Sequence, residues 1–125
     1  MGGSDSRITG SAMEDAAAAY LRSTGYEVIE RNYRARVGEI DIVAKDNGTL
    51  VFVEVRYRKP SSMVSPEESL TREKARRLRL AARRYLAERE ISDGVPVRFD
   101  LCAVSDGGRS FQVLRNIIGF GQALA

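Results

Sequence analysis

Two runs of alternating, β-branched sequence lie close together near the middle of the chain. Gly38-Glu39-Ile40-Asp41-Ile42-Val43-Ala44 and Leu50-Val51-Phe52-Val53-Glu54-Val55-Arg56-Tyr57-Arg58 are separated by an Asn47-Gly48 pair. This is the pattern of a β-hairpin closed by a two-residue type I′ turn, in which both central residues need positive φ. Counting back from the turn sets Asp46 against Thr49, Ala44 against Val51, Ile42 against Val53, Asp41 against Glu54 and Glu39 against Arg56. Period-two alternation then puts Glu39, Asp41, Glu54 and Arg56 on one face and Ile40, Ile42, Val53 and Val55 on the other.

The flanking patterns supply the remaining elements. Met13, Ala16, Ala17, Tyr20 and Leu21 form an apolar stripe at helical spacing, with Ser11 placed to cap the helix, Glu14 in its first turn and Gly25 at its end. Tyr26 to Arg34 alternates weakly and predicts a strand leading through Ala35-Arg36-Val37 into the hairpin, so three antiparallel strands form a meander. Lys59-Pro60-Ser61-Ser62 breaks the third strand, and Ser65-Pro66-Glu67-Glu68 has the form of a short capped turn. Thr71 caps the clearest helix, which runs to about Glu90 with Ala75, Leu78, Ala82, Tyr85 and Leu86 at core spacing. Val95–Val104 and Phe111–Leu114 predict two more strands. The fold class is therefore α/β in the mixed α+β sense, in the order αβββαβ, with the helix after the third strand crossing over to a parallel partner. Residues 1–10, rich in Gly and Ser, predict a flexible tail, and residues 11–125 a single domain.

Composition removes several chemistries. With no histidine, no Ser-His-Asp triad, Cys-His pair or His-ligated metal can be built from this chain, and the single Cys102 excludes an internal disulfide. No apolar run approaches the roughly 18 residues of a membrane span, and the amino terminus lacks the apolar core of a signal peptide, so the expectation is a cytoplasmic protein without a membrane partner. What remains is carboxylate chemistry. Opposed carboxylates with Cβ atoms about 5 Å apart repel, and all-oxygen donors select a hard ion such as Mg²⁺ or Mn²⁺. The plainer alternative is a surface hairpin whose acids are neutralised by Arg56.

Charge is unevenly placed. Residues 56–89 carry eleven Lys or Arg against four acids, a net of +7, which leaves −4 on the rest of a chain whose total is +3. A basic block following an acidic site suits an enzyme acting on a polyanion, and a solvated helix face is the alternative. Asp100, among apolar neighbours, reads as a buried acid paired with an arginine, and Tyr57 as a core residue.

Taken together, the Glu14 helix, the Gly38–Val43 and Val51–Arg58 strands, the Thr-capped arginine-rich helix and Arg98-Phe99-Asp100-Leu101 resemble the YraN family of bacterial proteins, over Ser11 to Asn116. That family is similar to the restriction-endonuclease-like superfamily with its PD-(D/E)xK motif, and in layout to archaeal Holliday-junction resolvases. The resemblance implies a nuclease with Mg²⁺ or Mn²⁺ as cofactor and nucleic acid, DNA in the first place, as partner. It implies that Asp41 and Glu54 bind the metal with support from Glu14, and that Arg56 stands at the motif's lysine. Arg58, Lys59, Arg72, Lys74, Arg76 and Arg77 would bind the nucleic-acid backbone, and a homodimer would fit a junction-cutting role. A guanidinium stays charged and cannot act as a general base, so Arg56 would clamp the phosphate, or Lys74 or Lys59 would take over the lysine's work. The competing expectation is a catalytically inactive nucleic-acid-binding or partner-binding module with the same fold.

Overall fold

The computed structural model describes residues 10–59, 65 and 67–118. Its elements are α1 (Gly10–Ser23), β1 (Glu27–Ala35), β2 (Gly38–Asp46), β3 (Thr49–Tyr57), α2 (Arg72–Glu88), β4 (Val97–Ser105) and β5 (Ser110–Leu114). They form one five-stranded mixed sheet in the order β1-β2-β3-β4-β5, with β3 and β4 parallel and the other neighbours antiparallel. The α/β class and the element order follow the sequence pattern. Among the described residues, no helix is long and apolar enough to cross a membrane.

Local chemistry explains the element ends. Asn47 and Gly48 take φ of 50° and 84°, the type I′ geometry, and the pairs Asp46–Thr49, Ala44–Val51 and Ile42–Val53 form in the register expected. The Thr71 hydroxyl accepts the Lys74 N–H and caps α2. Before it, Ser65 N–H donates to the Glu68 carboxylate and Glu68 N–H to the Ser65 hydroxyl, a reciprocal capping box that opens a 3₁₀ turn over Glu67–Ser69. At the amino end the expectation needs correcting. The α1 helix begins at Gly10, so Ser11 lies inside it instead of capping it, and Glu14 is beyond the first turn. Residues 1–9 of the expected tail, and Pro60 to Ser62 of the expected break, lie outside the described residues.

Each sheet face is covered by one helix. On one face Ala17, Ala18 and Leu21 of α1 pack against Ile42, Ala44, Val51, Val53, Val55, Cys102 and Val104. On the other, Leu78, Ala81, Ala82 and Tyr85 of α2 pack against Tyr33, Ile40, Val43, Leu50, Phe52 and Phe99. Ile40 and Ile42 therefore face opposite ways, contrary to simple alternation. Their β1 partners divide in the same manner: Tyr33, opposite Ile40, meets Tyr85 of α2 edge-on, while Arg31, opposite Ile42, pairs with Asp15 of α1. Asn32 stands between them at φ 56°, in the left-handed region that asparagine tolerates better than most side chains. One left-handed residue re-aims a strand as a bulge does. Both strands change face together at the level of Asp41.

A buried polar cluster pins the turn end of the hairpin to β4. Asp100 is fully buried and accepts from the Tyr26 hydroxyl (2.7 Å), Arg98 Nε (2.9 Å) and the Asn116 N–H (3.0 Å), while Arg98 Nη2 also donates to Asp46 (2.7 Å). Burial works against the Arg98 charge, and its hydrogen bonds to Asp100, Asp46 and Tyr26 outweigh that cost, holding its pKa above the ordinary value. Asp100 is thus the paired buried acid that its apolar neighbours suggested. Replacing it with alanine strands the Arg98 guanidinium and the Tyr26 hydroxyl, so Asp100→Ala should cost roughly 3–5 kcal/mol of folding stability, measured by urea denaturation.

Candidate active site

Beyond Ile42–Val53 the β2–β3 ladder opens. The next hydrogen-bonded pair would present the Val55 N–H to Ile40, but the Asp41 carboxylate takes that N–H at 2.8 Å. The side chain replaces a backbone acceptor, and Asp41 is held at the mouth of the splayed strands. Glu54 enters from β3. Lys74 Nζ, from the first turns of α2, is 3.8 Å from its carboxylate, and Arg56 Nε is 3.4 Å from it. Arg56 is also tied down at its other end, where Nη2 donates to the Ser69 carbonyl at 2.9 Å. Glu14 arrives from α1 on the opposite face. Its Oε1 is buried and accepts no hydrogen bond, with the nearest cation being Arg31 at 3.7 Å.

These side chains line one open cleft of about 800 Å³, the larger of two described, whose wall also includes Arg34, Arg36, Val37, Glu39, Arg76 and Arg77. The cleft brings together Glu14, Asp41, Glu54, Arg56, Lys74, Arg76 and Arg77. It does not include Arg58, Lys59 or Arg72. Arg58 continues the β3–β4 pairing through its N–H to Val104, Lys59 is exposed beyond the strand, and Arg72 lines a separate recess with Leu70, Arg79 and Ile118. Several cations of the basic block are engaged locally: Arg76 and Arg77 with Glu73, Arg84 with Glu88, and Arg89 with Glu30.

The acids are held out of their ordinary ionisation range. Burial pushes Asp41 up to about 7, with the neighbouring Glu54 charge adding to the effect and the Val55 N–H opposing it. Glu54 is raised by burial and pulled back by Lys74 and Arg56. Glu14 is raised by burial and then by the Asp41 charge, with Arg31 opposing. The three carboxylates share one cleft in which burial, the largest cause for each, disfavours their charge. Among the described residues no three acids make a complete metal-binding group by themselves. What the cleft does provide is two adjacent carboxylates and a third with a free buried oxygen. That is compatible with Mg²⁺, which takes one or two carboxylates and keeps water and substrate phosphate as its other ligands.

Arg34, Arg36 and Val37 were not legible as site residues, because their run in the sequence looks like a connection between strands. The signal was present in the alternation Arg34-Ala35-Arg36, which puts two cations on one side of a tight turn.

Comparison with known proteins gives a consistent family. The family model described as "Uncharacterised protein family UPF0102" matches residues 13–104. A UPF0102 protein of Persephonella marina is 48% identical over 97 residues, covering 78% of this chain and 83% of that protein. One from Methylococcus capsulatus is 43% identical over 118 residues, 93% of this chain and 94% of that protein. One from Vibrio campbellii is 37% identical over 122 residues, 97% of this chain and 100% of that protein.

The raised Asp41 pKa has a definite consequence for stability. A carboxyl whose folded pKa lies above its unfolded value of about 3.9 favours folding most below that value, and the contribution is lost as pH rises through about 7. The native protein therefore carries the full charging cost at pH 8. Asp41→Asn should stabilise the protein at pH 8 by roughly 1–3 kcal/mol, with the gain disappearing below about pH 4, as measured by thermal or urea unfolding across that range.

Proposed function

The chain belongs to the UPF0102 family, and we propose that it is a divalent-metal-dependent nuclease that hydrolyses phosphodiester bonds of DNA, branched or structured DNA included. The observation that carries this reading is the meeting of Asp41 and Glu54 at the opened end of the hairpin, with Glu14 turned toward them from α1. Support comes also from the order αβββαβ with β3 and β4 parallel, which resembles the restriction-endonuclease-like layout.

In this reading Asp41 and Glu54 hold Mg²⁺ or Mn²⁺, with Glu14 as the third acid. When bound, such an ion supplies positive charge at the phosphodiester and acidifies water. The chain's own residues do the rest. Arg56 cannot accept a proton, but its guanidinium, anchored on the Ser69 carbonyl, is suited to bind a phosphate oxygen as charge develops there. The Lys74 amine stands beside Glu54 and is 45% exposed, so it can reach a water or a leaving oxygen. Arg76 and Arg77, on the cleft wall, add positive potential for the DNA backbone without reading bases.

A second reading is favoured by one observation: Lys74 and Arg56 already lie against Glu54. Internal cations can neutralise the acids without an ion, and the fold would then serve as a nucleic-acid-binding module without catalysis.

Calorimetric titration of Mg²⁺ and Mn²⁺ separates the two. The parent should bind the ion, more tightly at pH 8 than at pH 6 because Asp41 must lose its proton, and Asp41→Asn and Glu54→Gln should each weaken binding by at least about tenfold. A parallel assay on four-way-junction, duplex and single-stranded DNA should show cleavage that needs the ion. Absence of ion binding, with DNA affinity unchanged in both variants, leaves the binding module.

A further inference from the structure

The rim of the cleft formed by the β1–β2 turn is made of residues that a tight turn does not call for. Arg36 and Val37 close the hairpin between the paired Ala35 and Gly38, and neither takes the positive φ found at Asn47 and Gly48 in the second hairpin. Val37 is 44% exposed, one of two exposed large hydrophobic residues among those described. Arg34 and Arg36 are exposed on the same rim and, among the described residues, form no ion pair, whereas Arg76 and Arg77 across the cleft share Glu73. The turn is also firmly seated. A Cβ at Gly38 would stand 2.8 Å from the Arg77 carbonyl oxygen, so β2 starts in direct backbone contact with α2.

We propose that this tip is a wedge for DNA at a branch point, with Val37 set against the exposed end of a base stack and Arg34 and Arg36, on one side of it, holding the phosphates of a strand that leaves the branch. The inference rests on the nuclease reading for its polyanionic substrate and adds the element that singles out a branch within it. An aliphatic side chain exposed beside unpaired cations could instead meet a second copy of the chain. A two-fold contact through the tip, however, would bring Arg34 and Arg36 toward their own counterparts, and like charges oppose that approach. A nucleic acid supplies both what the valine lacks, an apolar surface, and what the arginines lack, anionic partners.

The choice of a branch over continuous duplex follows from energy. Driving an aliphatic wedge between stacked bases costs unstacking energy, and proteins that do so recover it from backbone contacts. At a branch the stack already ends, so the same contacts are made without that cost.

The test is fluorescence anisotropy in EDTA with a labelled duplex and with the same duplex opened into a fork at one end. The parent should prefer the fork by about tenfold. Val37→Ser should bring fork affinity down to that of the duplex, while Val37→Ile should keep the preference. The double variant Arg34→Ala, Arg36→Ala should weaken binding to both DNAs and reduce the slope of log affinity against log salt by about two. Circular dichroism checks the fold of each variant. 2-Aminopurine placed at the branch should brighten on binding the parent and not on binding Val37→Ser. Equal affinity of the parent for fork and duplex, or an undiminished preference in Val37→Ser, overturns the proposal. The fork assay contains no ion and is read beside the calorimetric titration, so loss of fork preference with calorimetric ion binding intact removes the wedge alone, and fork preference without ion binding removes the nuclease reading alone.

Discussion

A carboxylate kept out of water beside another carboxylate is the constraint on which the rest of this structure turns. Asp41 is lodged between β2 and β3 by a hydrogen bond from the Val55 N–H, and Glu54 is close enough to raise its pKa further. Burial and the Glu54 charge both oppose stability at neutral pH, and the Val55 N–H offsets them only in part. Natural proteins tolerate such strain where a site needs it, and recover the loss elsewhere. Here the recovery is visible in two packed faces with fully buried Phe52 or Phe99 on one and Leu21 or Val53 on the other, and in the Asp100 cluster at the far end of the hairpin.

The two ends of the β2–β3 hairpin therefore do opposite things. At the turn end, the buried Asp100 and the half-buried Asp46 are satisfied by Arg98, Tyr26 and the Asn116 backbone. At the open end, Glu14 has a buried oxygen with no hydrogen-bond donor, and Asp41 shares its burial with a like charge. Both ends hold carboxylates, but at the turn end the cation donates at hydrogen-bond distance, whereas at the open end the chain's cations stand 3.4–3.8 Å from Glu54 and Glu14 and no described ion pair reaches Asp41. A buried acid satisfied by close donors reads as architecture, and one that is not is a candidate for a functional role.

Where local chemistry decides, the sequence was legible. Asn47-Gly48 fixed one register because both residues needed positive φ, and Thr71 marked the start of α2 by its hydroxyl. The nearness of Asp41 to Glu54 was legible by counting, but the counted pairs Asp41–Glu54 and Glu39–Arg56 do not form, because the ladder ends at Ile42–Val53 and the Asp41 carboxylate takes the Val55 N–H. The departure from alternation was not legible. Asn32 takes its left-handed conformation on β1, nine residues before the aspartate whose neighbours it re-aims, and no local pattern around Asp41 signals it. The basic block was legible only in part for a similar reason. Sequence gives the number of arginines but not that Glu73, Glu88 and Glu30 engage Arg76, Arg77, Arg84 and Arg89. The start of α1 was misplaced by two residues, since a Ser11 cap puts the first helical residue at position 12 and the helix begins at Gly10, an error of the size that frayed helix ends normally produce.

Arginine at position 56 makes physical sense when it is considered together with Lys74. A lysine there would offer one compact charge, which could sit by Glu54 or reach the segment before α2, but not both. A guanidinium has donors on several sides, and this one lies 3.4 Å from Glu54 while donating to the Ser69 carbonyl. Holding Ser69 fixes the approach to Thr71, and Thr71 caps the turn that carries Lys74. The amine is thereby delivered to the same carboxylate from the other side, at 3.8 Å. Two cations of different chemistry thus meet one carboxylate from two sides, the guanidinium fixed at both ends and the amine on a longer and freer stem. Arg56 and Lys74 are one structural arrangement.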